Sequence, residues 1–179
     1  MSADYITELK KQMNTVKKSI PAVQSESAVK NIFTILISTH DELYKLSKLI
    51  PEKDHNKPLI SGKRSFRGNL IHLLNIEEVY SMTLLQAITV DSPEVFRIHP
   101  ERDIGKMKLF DQMSTNELLS YFKLRRKILT DLLKSLSKDQ WSRVIIEKNK
   151  ARKESVYWRM RVVALHEYEH IQIIKLQLR

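Results

Sequence analysis

The chain has 179 residues, a length typical of one domain, and its formal net charge is +10. It contains no cysteine, which excludes a disulfide framework, a cysteine-ligated metal and a cysteine nucleophile. Leu, Ile, Lys, Glu and Arg are abundant while Gly and Pro are scarce, so the composition favours an all-α fold. No stretch is apolar enough for a membrane span or a signal peptide, and we expect a cytoplasmic protein without a membrane partner.

The positive charge is scattered along the chain, and no recognised nucleic-acid motif accompanies it. We interpret it mainly as a solvated surface and expect no nucleic-acid partner. A polyanionic partner is the alternative interpretation of the same charge.

An amphipathic stretch at residues 3–19 predicts a short N-terminal helix, and Pro21 separates this helix from the next because proline breaks a helix interior. We therefore divide the chain into a helical N-terminal extension, residues 1–26, and a main domain, residues 27–179.

The first two long helices follow from apolar residues at helical spacing. One covers residues 27–50 and ends at Pro51, and the next covers about 65–89 with Ser61 or Ser65 as its N-cap. A polar loop with two prolines and one glycine separates them.

The connection at residues 91–112 is long for a compact domain, and loops of this length are often functional. Ser114-Thr-Asn-Glu117 is a capping box that opens the third long helix, which runs to about Leu136 before a short turn. Residues 143–153 fit a strand, a hairpin or a loop.

The last long helix begins after Ser155 and reaches about Leu178. Four long helices with one short and two longer connections predict a four-helix bundle, with an extra short N-terminal helix.

Two histidines lie one turn apart in this last helix, in the sequence ALHEYEH. At about 100° per residue, His166 and His170 share one face. That face also carries the apolar side chains of Val162, Val163, Ile173 and Ile174. His72 lies likewise on the apolar side of the second long helix.

Burying imidazole nitrogens is unfavourable unless they find partners, so three inward histidines need an explanation. A pair one turn apart and a third from a facing helix predict an open, three-nitrogen site for a divalent metal: His72, His166 and His170. The alternative is that each is a core histidine bonded to a backbone carbonyl or a nearby side chain.

The pattern H-E-x-x-H also occurs in zinc proteases, with the glutamate as general base. The nine residues after His170 contain no His, Asp or Glu as a third ligand, and no strand is evident before the helix. A zinc protease is therefore not favoured, although Glu167 stays a candidate base. Of the other histidines, we expect His55 and His99 at the surface, with His99 able to border a site entrance, and His40 in the core or at its rim.

Three segments together resemble the DinB-like superfamily. GKRSFRGNLIHLLNIEEVY resembles its second helix, SVYWRMRVVALHEYEHIQII its fourth, and MSTNELLSYFKLRRKILTDLLKSLSKDQW its third helix and the turn after it. The resemblance covers roughly residues 27–178 and implies a DinB-like four-helix bundle. It implies one divalent metal ion on His72, His166 and His170, nickel or zinc, with iron or manganese as alternatives.

Members of this family with known activity are mostly S-transferases that use a low-molecular-weight thiol, and homodimers are common. The resemblance therefore implies a small-molecule substrate, a thiol-dependent transferase activity and a homodimer. A metal-dependent hydrolase with the same site and a non-enzymatic, stress-related metal-binding or interaction protein are the alternatives. Arg159 is our candidate for holding a substrate carboxylate, and Glu77, Glu167 or Glu169 for orienting an imidazole.

Overall fold

The computed structural model describes residues 3–151 and 153–178. Over those residues it contains the four predicted long helices, the short N-terminal helix, a further short α-helix and three 3-10 or π-helical turns. The α-helices are α1 (Ala3–Ser19), α2 (Glu26–Leu49), α3 (Phe66–Thr89), α4 (Thr115–Ser135), α5 (Lys138–Ser142) and α6 (Val156–Gln177). The strands are β1 (Glu94–Val95), β2 (Val144–Glu147) and β3 (Glu154–Ser155).

A serine caps the start of each long helix. The hydroxyl groups of Ser25, Ser65, Ser114 and Ser155 each accept a hydrogen bond from the backbone N–H three residues later. Ser65 is thus the cap of α3, and the capping box of α4 is confirmed. Because such caps satisfy otherwise unpaired N–H groups, they set where each helix begins.

Helices α2 and α6 run parallel to each other. Near the start of α6, Arg161 donates to the carbonyl of Ile20, just ahead of α2. Near the far end of both helices, Lys175 pairs with Glu42 at 2.5 Å. The same ends therefore meet at both positions, and α1 packs beside this pair.

Helices α3 and α4 also run parallel, and both run opposite to α6. The guanidinium of Arg67 at the start of α3 donates to the carbonyl of Met113, just before α4. Toward the end of α3, Thr83 contacts Arg159 near the start of α6. The four long helices thus form an up-down-down-up bundle, and the predicted four-helix bundle is confirmed. None of the described helices is long and apolar enough to cross a membrane.

The histidine-bearing helices are held in register by the core. Leu70, Leu73 and Leu74 on α3 are fully buried, as are Ala164 and Ile174 on α6. Burying one such leucine stabilises the fold by roughly 1.5–3 kcal/mol. Rotation of either helix would expose these side chains, so packing sets the direction of the histidines.

A three-stranded sheet joins the 91–112 connection to the segment between α5 and α6. β1 pairs with β2 in parallel, and β2 pairs with β3 in the antiparallel direction. Of the three possibilities for residues 143–153, the hairpin is the one observed. The connection at 91–112 contains β1, a π-helical turn over Pro100–Ile104 and a 3-10 turn over Gly105–Met107, so it has structure of its own.

The N-terminal helix is joined closely to the bundle. α1 packs against α6 and α2, and Ile20, directly after it, is fully buried. The division between residues 1–26 and 27–179 stays a prediction.

Candidate metal centre

The three predicted histidines converge. His72 extends from α3, and His166 and His170 extend from α6 one turn apart. Their ring centroids are 5.1, 4.7 and 4.5 Å apart, and one nitrogen from each ring lies within 4.8 Å of the other two. The Nε2 atoms of His72 and His166 are 2.9 Å apart. Among the described residues, these three histidines form the group of ligand atoms that could hold a metal ion.

The outer nitrogen of His170 has a neutral partner. Its Nδ1 lies 2.8 Å from Oδ1 of Asn69, whose own amide nitrogen donates to the carbonyl of Ser65 at 2.9 Å. Because that second bond fixes the amide orientation, Oδ1 can only accept, and Nδ1 of His170 carries the proton. Nε2 of His170 therefore keeps its lone pair.

The outer nitrogen of His72 has a charged partner. Its Nδ1 contacts a carboxylate oxygen of Glu101, which belongs to the π-helical turn of the 91–112 connection. As a carboxylate accepts hydrogen bonds, Nδ1 of His72 also carries the proton and its Nε2 keeps a lone pair. The short contact between the Nε2 atoms of His72 and His166 is then favourable either if His166 donates a proton or if a cation lies between them.

Burial keeps these imidazoles neutral. Burial, together with the neighbouring imidazoles, lowers the pKa of His170 to about 3 and that of His166 to about 4. It also lowers the pKa of His72, although the contact with Glu101 acts in the opposite direction. At neutral pH the rings are in the deprotonated form that binds metals.

A cavity of about 260 Å³ adjoins His166. Its apolar walls include Ile76 and Val79 of α3, and its charged lining includes Arg97, Lys150 and Arg159. A larger cavity of about 450 Å³, beside α5 and the start of α2, shares no residue with the histidine site. The smaller cavity is thus the space next to the histidines that a small molecule can enter.

Arg159 lines this cavity, as predicted, but its guanidinium is already engaged. It is only 5% exposed, it donates to Glu147 at 3.1 Å, and it lies 3.4 Å from the hydroxyl of Thr83. Arg97 and Lys150 lie 3.7 and 3.8 Å from Glu147, and Lys150 also pairs with Glu154 at 2.8 Å. The side chains of Arg97 and Lys150 are 74% and 39% exposed, so these are the more exposed cations of the cavity.

The assignment of Glu77 and Glu167 to the imidazoles is wrong. Both are 1% exposed, and both bind Arg126 of α4, at 2.9 and 2.5 Å. Burial raises the pKa of Glu77 to about 7 in spite of the guanidinium. Glu167 is consequently part of a buried ion cluster and is not placed as a general base, while Glu169 makes no imidazole contact among the described residues.

The remaining histidines are outside the cluster. The prediction for His55 is wrong, since it is only 6% exposed. Its Nε2 donates to the carbonyls of Ser47 and Ile50 at the end of α2, which explains the burial. His99 is exposed and lines the cavity, and its Nδ1 accepts two backbone N–H groups of the π-helical turn. His40 is half-buried beside Asp41.

Sequence reasoning missed both partners of the outer nitrogens. Asn69 had a usable signal, because it lies three residues before His72 on the same side of α3 and an amide oxygen is a common imidazole partner. Glu101 had none, since its approach depends on how a connection of about 20 residues folds back onto α3.

The fold and this site define a class of protein: an up-down-down-up helical bundle with three converging histidines. Residues 35–174 match the sequence profile of the DinB superfamily, and the chain belongs to that family. Among solved structures it is similar to YfiT from Bacillus subtilis, with a TM-score of 0.70 at 14% identity, over 87% of this chain and 89% of that one. YfiT is described as a probable metal-dependent hydrolase with an unusual four-helix bundle topology. No curated protein matches the chain.

Proposed function

We propose that His72, His166 and His170 hold one divalent metal ion and that the protein is a metal-dependent enzyme acting on a small molecule. The main supporting observation is the convergence of three neutral imidazoles, of which His72 and His170 have unprotonated inner nitrogens. A buried cluster of this kind is unfavourable unless those nitrogens find a partner. One metal cation can bind all three imidazoles at once, which a single proton cannot do.

The donor set suits several metals. Imidazole binds nickel, zinc and iron well, and we propose nickel or zinc, with iron or manganese as alternatives. Three protein ligands leave coordination positions open, which is typical of catalytic sites and not of structural ones. When bound, the metal would supply Lewis acidity that lowers the pKa of a thiol or a water molecule at neutral pH.

The preferred activity is transfer of a low-molecular-weight thiol to an electrophile. Since the chain has no cysteine, the thiol must be a small molecule, and the cytoplasm is the expected compartment. Arg97 and Lys150 are positioned to bind carboxylates of such a thiol, while Ile76 and Val79 contact its apolar part. Arg159 supports this arrangement by holding Glu147 in place.

Hydrolysis is the second candidate, with water in place of the thiol. The observation that favours it is the similarity in fold to YfiT and the description of that protein as a probable metal-dependent hydrolase. Both candidates use the same histidines and the same cavity, so only the co-reactant separates them.

We further propose a homodimer. The outer faces of α3 and α4 expose large apolar side chains, with exposed fractions of 50% for Leu85, 57% for Leu124 and 55% for Ile128. Apolar surface that a second copy could cover supports association. Light scattering of purified protein tests this, and a monomer at micromolar concentration would contradict it.

Metal analysis of purified protein tests the site. The wild type is expected to bind one nickel or zinc ion per chain, and His72→Ala and His166→Ala are expected to lose it. His40→Ala is the matched control, because it removes an imidazole outside the cluster. Full metal content in both cluster variants would refute the proposal.

An activity assay separates the two candidates. The metal-loaded protein is incubated with electrophiles and ester or amide substrates, with and without a small thiol, and products are identified by mass spectrometry. A thiol adduct that forms only with metal and wild-type protein supports transfer. Turnover without thiol supports hydrolysis instead.

A further inference from the structure

One contact in the histidine cluster comes from outside the helical bundle. Helices α3 and α6 supply the three imidazoles and Asn69, whereas Glu101 belongs to the π-helical turn Pro100–Ile104. Its side chain is about 40% exposed, yet it reaches Nδ1 of a histidine whose own side chain is only 10% exposed. The cluster is therefore closed on one side by a carboxylate from the 91–112 connection.

We propose that Glu101 is a positioning residue for the metal centre and that it couples the folded state of its turn to metal affinity. This inference rests on the proposed metal site and extends it to a residue outside the histidine motifs. A carboxylate on the outer nitrogen of a metal-binding histidine fixes the tautomer and ring direction and makes the inner nitrogen a stronger donor.

The turn that carries Glu101 is built to hold one conformation. The ring of His99 accepts the backbone N–H groups of Glu101 and Arg102, both at 3.2 Å. The carboxylate of Asp103 accepts the N–H of His99 at 2.8 Å, which closes the turn from the other side. These local bonds limit the positions open to Glu101, so its contact with His72 needs little further ordering.

The turn also lies directly on α3. A methyl group built onto Gly105 would come within 3.5 Å of the amide nitrogen of Asn75, an ordinary contact distance. Asn75 is one turn beyond His72 on the same helix. The turn thus contacts α3 through Gly105 and through Glu101, and movement of the turn away from the helix would remove the carboxylate from His72.

The three histidines receive unequal support. His72 has an ionisable partner and His170 has the neutral amide of Asn69, whereas His166, which lines the cavity, has neither. Arg64 lies 3.6 Å from the carboxylate of Glu101. Glu101 therefore brings a carboxylate into contact with His72, whereas the other two histidines contact none among the described residues.

Coupling of this kind is reciprocal. If Glu101 strengthens metal binding, then metal binding must stabilise the turn that positions Glu101, by the same free energy. Two independent measurements can therefore be made on one protein: metal affinity, and protection of the turn from hydrogen exchange.

The test compares metal affinities by chelator competition, with zinc and with nickel, for the wild type, Glu101→Gln, Glu101→Ala and Glu94→Gln. Glu94 is an exposed acid in the same connection, on β1, and serves as the charge-matched control. We expect Glu101→Ala to lose affinity by about 10–100-fold, the usual effect of removing such a partner. Glu101→Gln should lose less, because Gln can still accept the hydrogen bond, and Glu94→Gln should stay within about twofold of the wild type.

Hydrogen exchange supplies the second readout. Addition of metal should slow exchange of the amides at residues 99–105 in the wild type and in Glu94→Gln, but much less in Glu101→Ala. Equal affinities for Glu101→Ala and Glu94→Gln would overturn the inference and leave the metal site standing. A wild type that binds neither metal would overturn both. Equal melting temperatures of the metal-free variants establish that each is folded.

Discussion

The bundle contains two buried polar clusters, built in opposite ways. The histidine cluster consists of imidazoles whose inner nitrogens converge on one another. In the other cluster, the carboxylates of Glu77 and Glu167 both bind the guanidinium of Arg126. Both clusters join α3 to α6, and Glu167 directly follows His166 in the chain. The second cluster thus supplies its own opposite charge, whereas the histidine cluster contains no cationic side chain.

The contacts of Arg126 show how the second cluster joins the helices. Arg126 extends from α4 and binds one carboxylate on each of the two histidine-bearing helices. It therefore fixes α3 and α6 relative to each other, next to the site. The three histidines form no such ion pair with a side chain of the four long helices, so they can bind an added cation.

Replacing Arg126 should give the largest effect. Arg126→Met leaves two carboxylates buried without a cation, and breaking a buried pair in this way typically destabilises a protein by about 3–5 kcal/mol. Urea unfolding measures the loss. The neighbouring Arg125→Met is the control, since its partly exposed pair with Glu78 should contribute less than about 1 kcal/mol. Equal losses for the two variants would contradict the structural role.

Removing a cluster histidine should abolish the stabilisation that the metal provides. At a free metal concentration of about 1,000 times the dissociation constant, binding should stabilise the wild type by about 4 kcal/mol. In His170→Ala the metal-loaded and chelated proteins should unfold at nearly the same urea concentration, while His40→Ala should behave as the wild type. A metal-dependent shift that survives in His170→Ala would argue against the three-histidine site.

The metal-free protein should lose stability in acid because of the histidines. The folded pKa of His170, about 3, lies below the ordinary 6.5, so the unfolded chain binds more protons between those pH values. The free energy of unfolding therefore falls as the pH drops below 6.5. We expect the wild type to lose on the order of 2 kcal/mol more than His170→Ala between pH 7 and 4.5, measured in chelator. Contributions from other groups, including Glu77, cancel in that difference.

The parts of the structure that depend on local chemistry were predictable. Ser65, Ser114 and Ser155 identify helix starts because capping needs only a hydroxyl and the next turn of backbone. The three histidines could be placed on inward faces because helical periodicity determines direction, and the resemblance to a known family brought the two helices together.

The parts that depend on neighbours distant in sequence were not predictable. Glu77 and Glu167 were candidates for orienting an imidazole, but their partner Arg126 lies on a third helix that spacing alone does not align. His55 was expected at the surface because its loop is polar, and only the structure reveals the α2 carbonyls that its ring binds. Glu101 depends on the folding of the 91–112 connection for the same reason.

Replacing Glu77 should give the smallest effect at pH 5, and this effect should grow as the pH rises. Burial raises the pKa of Glu77 from 4.5 to about 7, so the folded protein holds a proton that the unfolded chain releases between those values. That contribution to stability is complete below pH 4.5 and is lost as the pH rises through 7. Gln resembles the protonated acid at every pH. Glu77→Gln should therefore be within about 1 kcal/mol of the wild type at pH 5 and more stable than it by about 3 kcal/mol at pH 8. A pH-independent difference would mean that Glu77 stays ionised beside Arg126, and metal affinity, measured in parallel, should not change because Glu77 contacts no histidine.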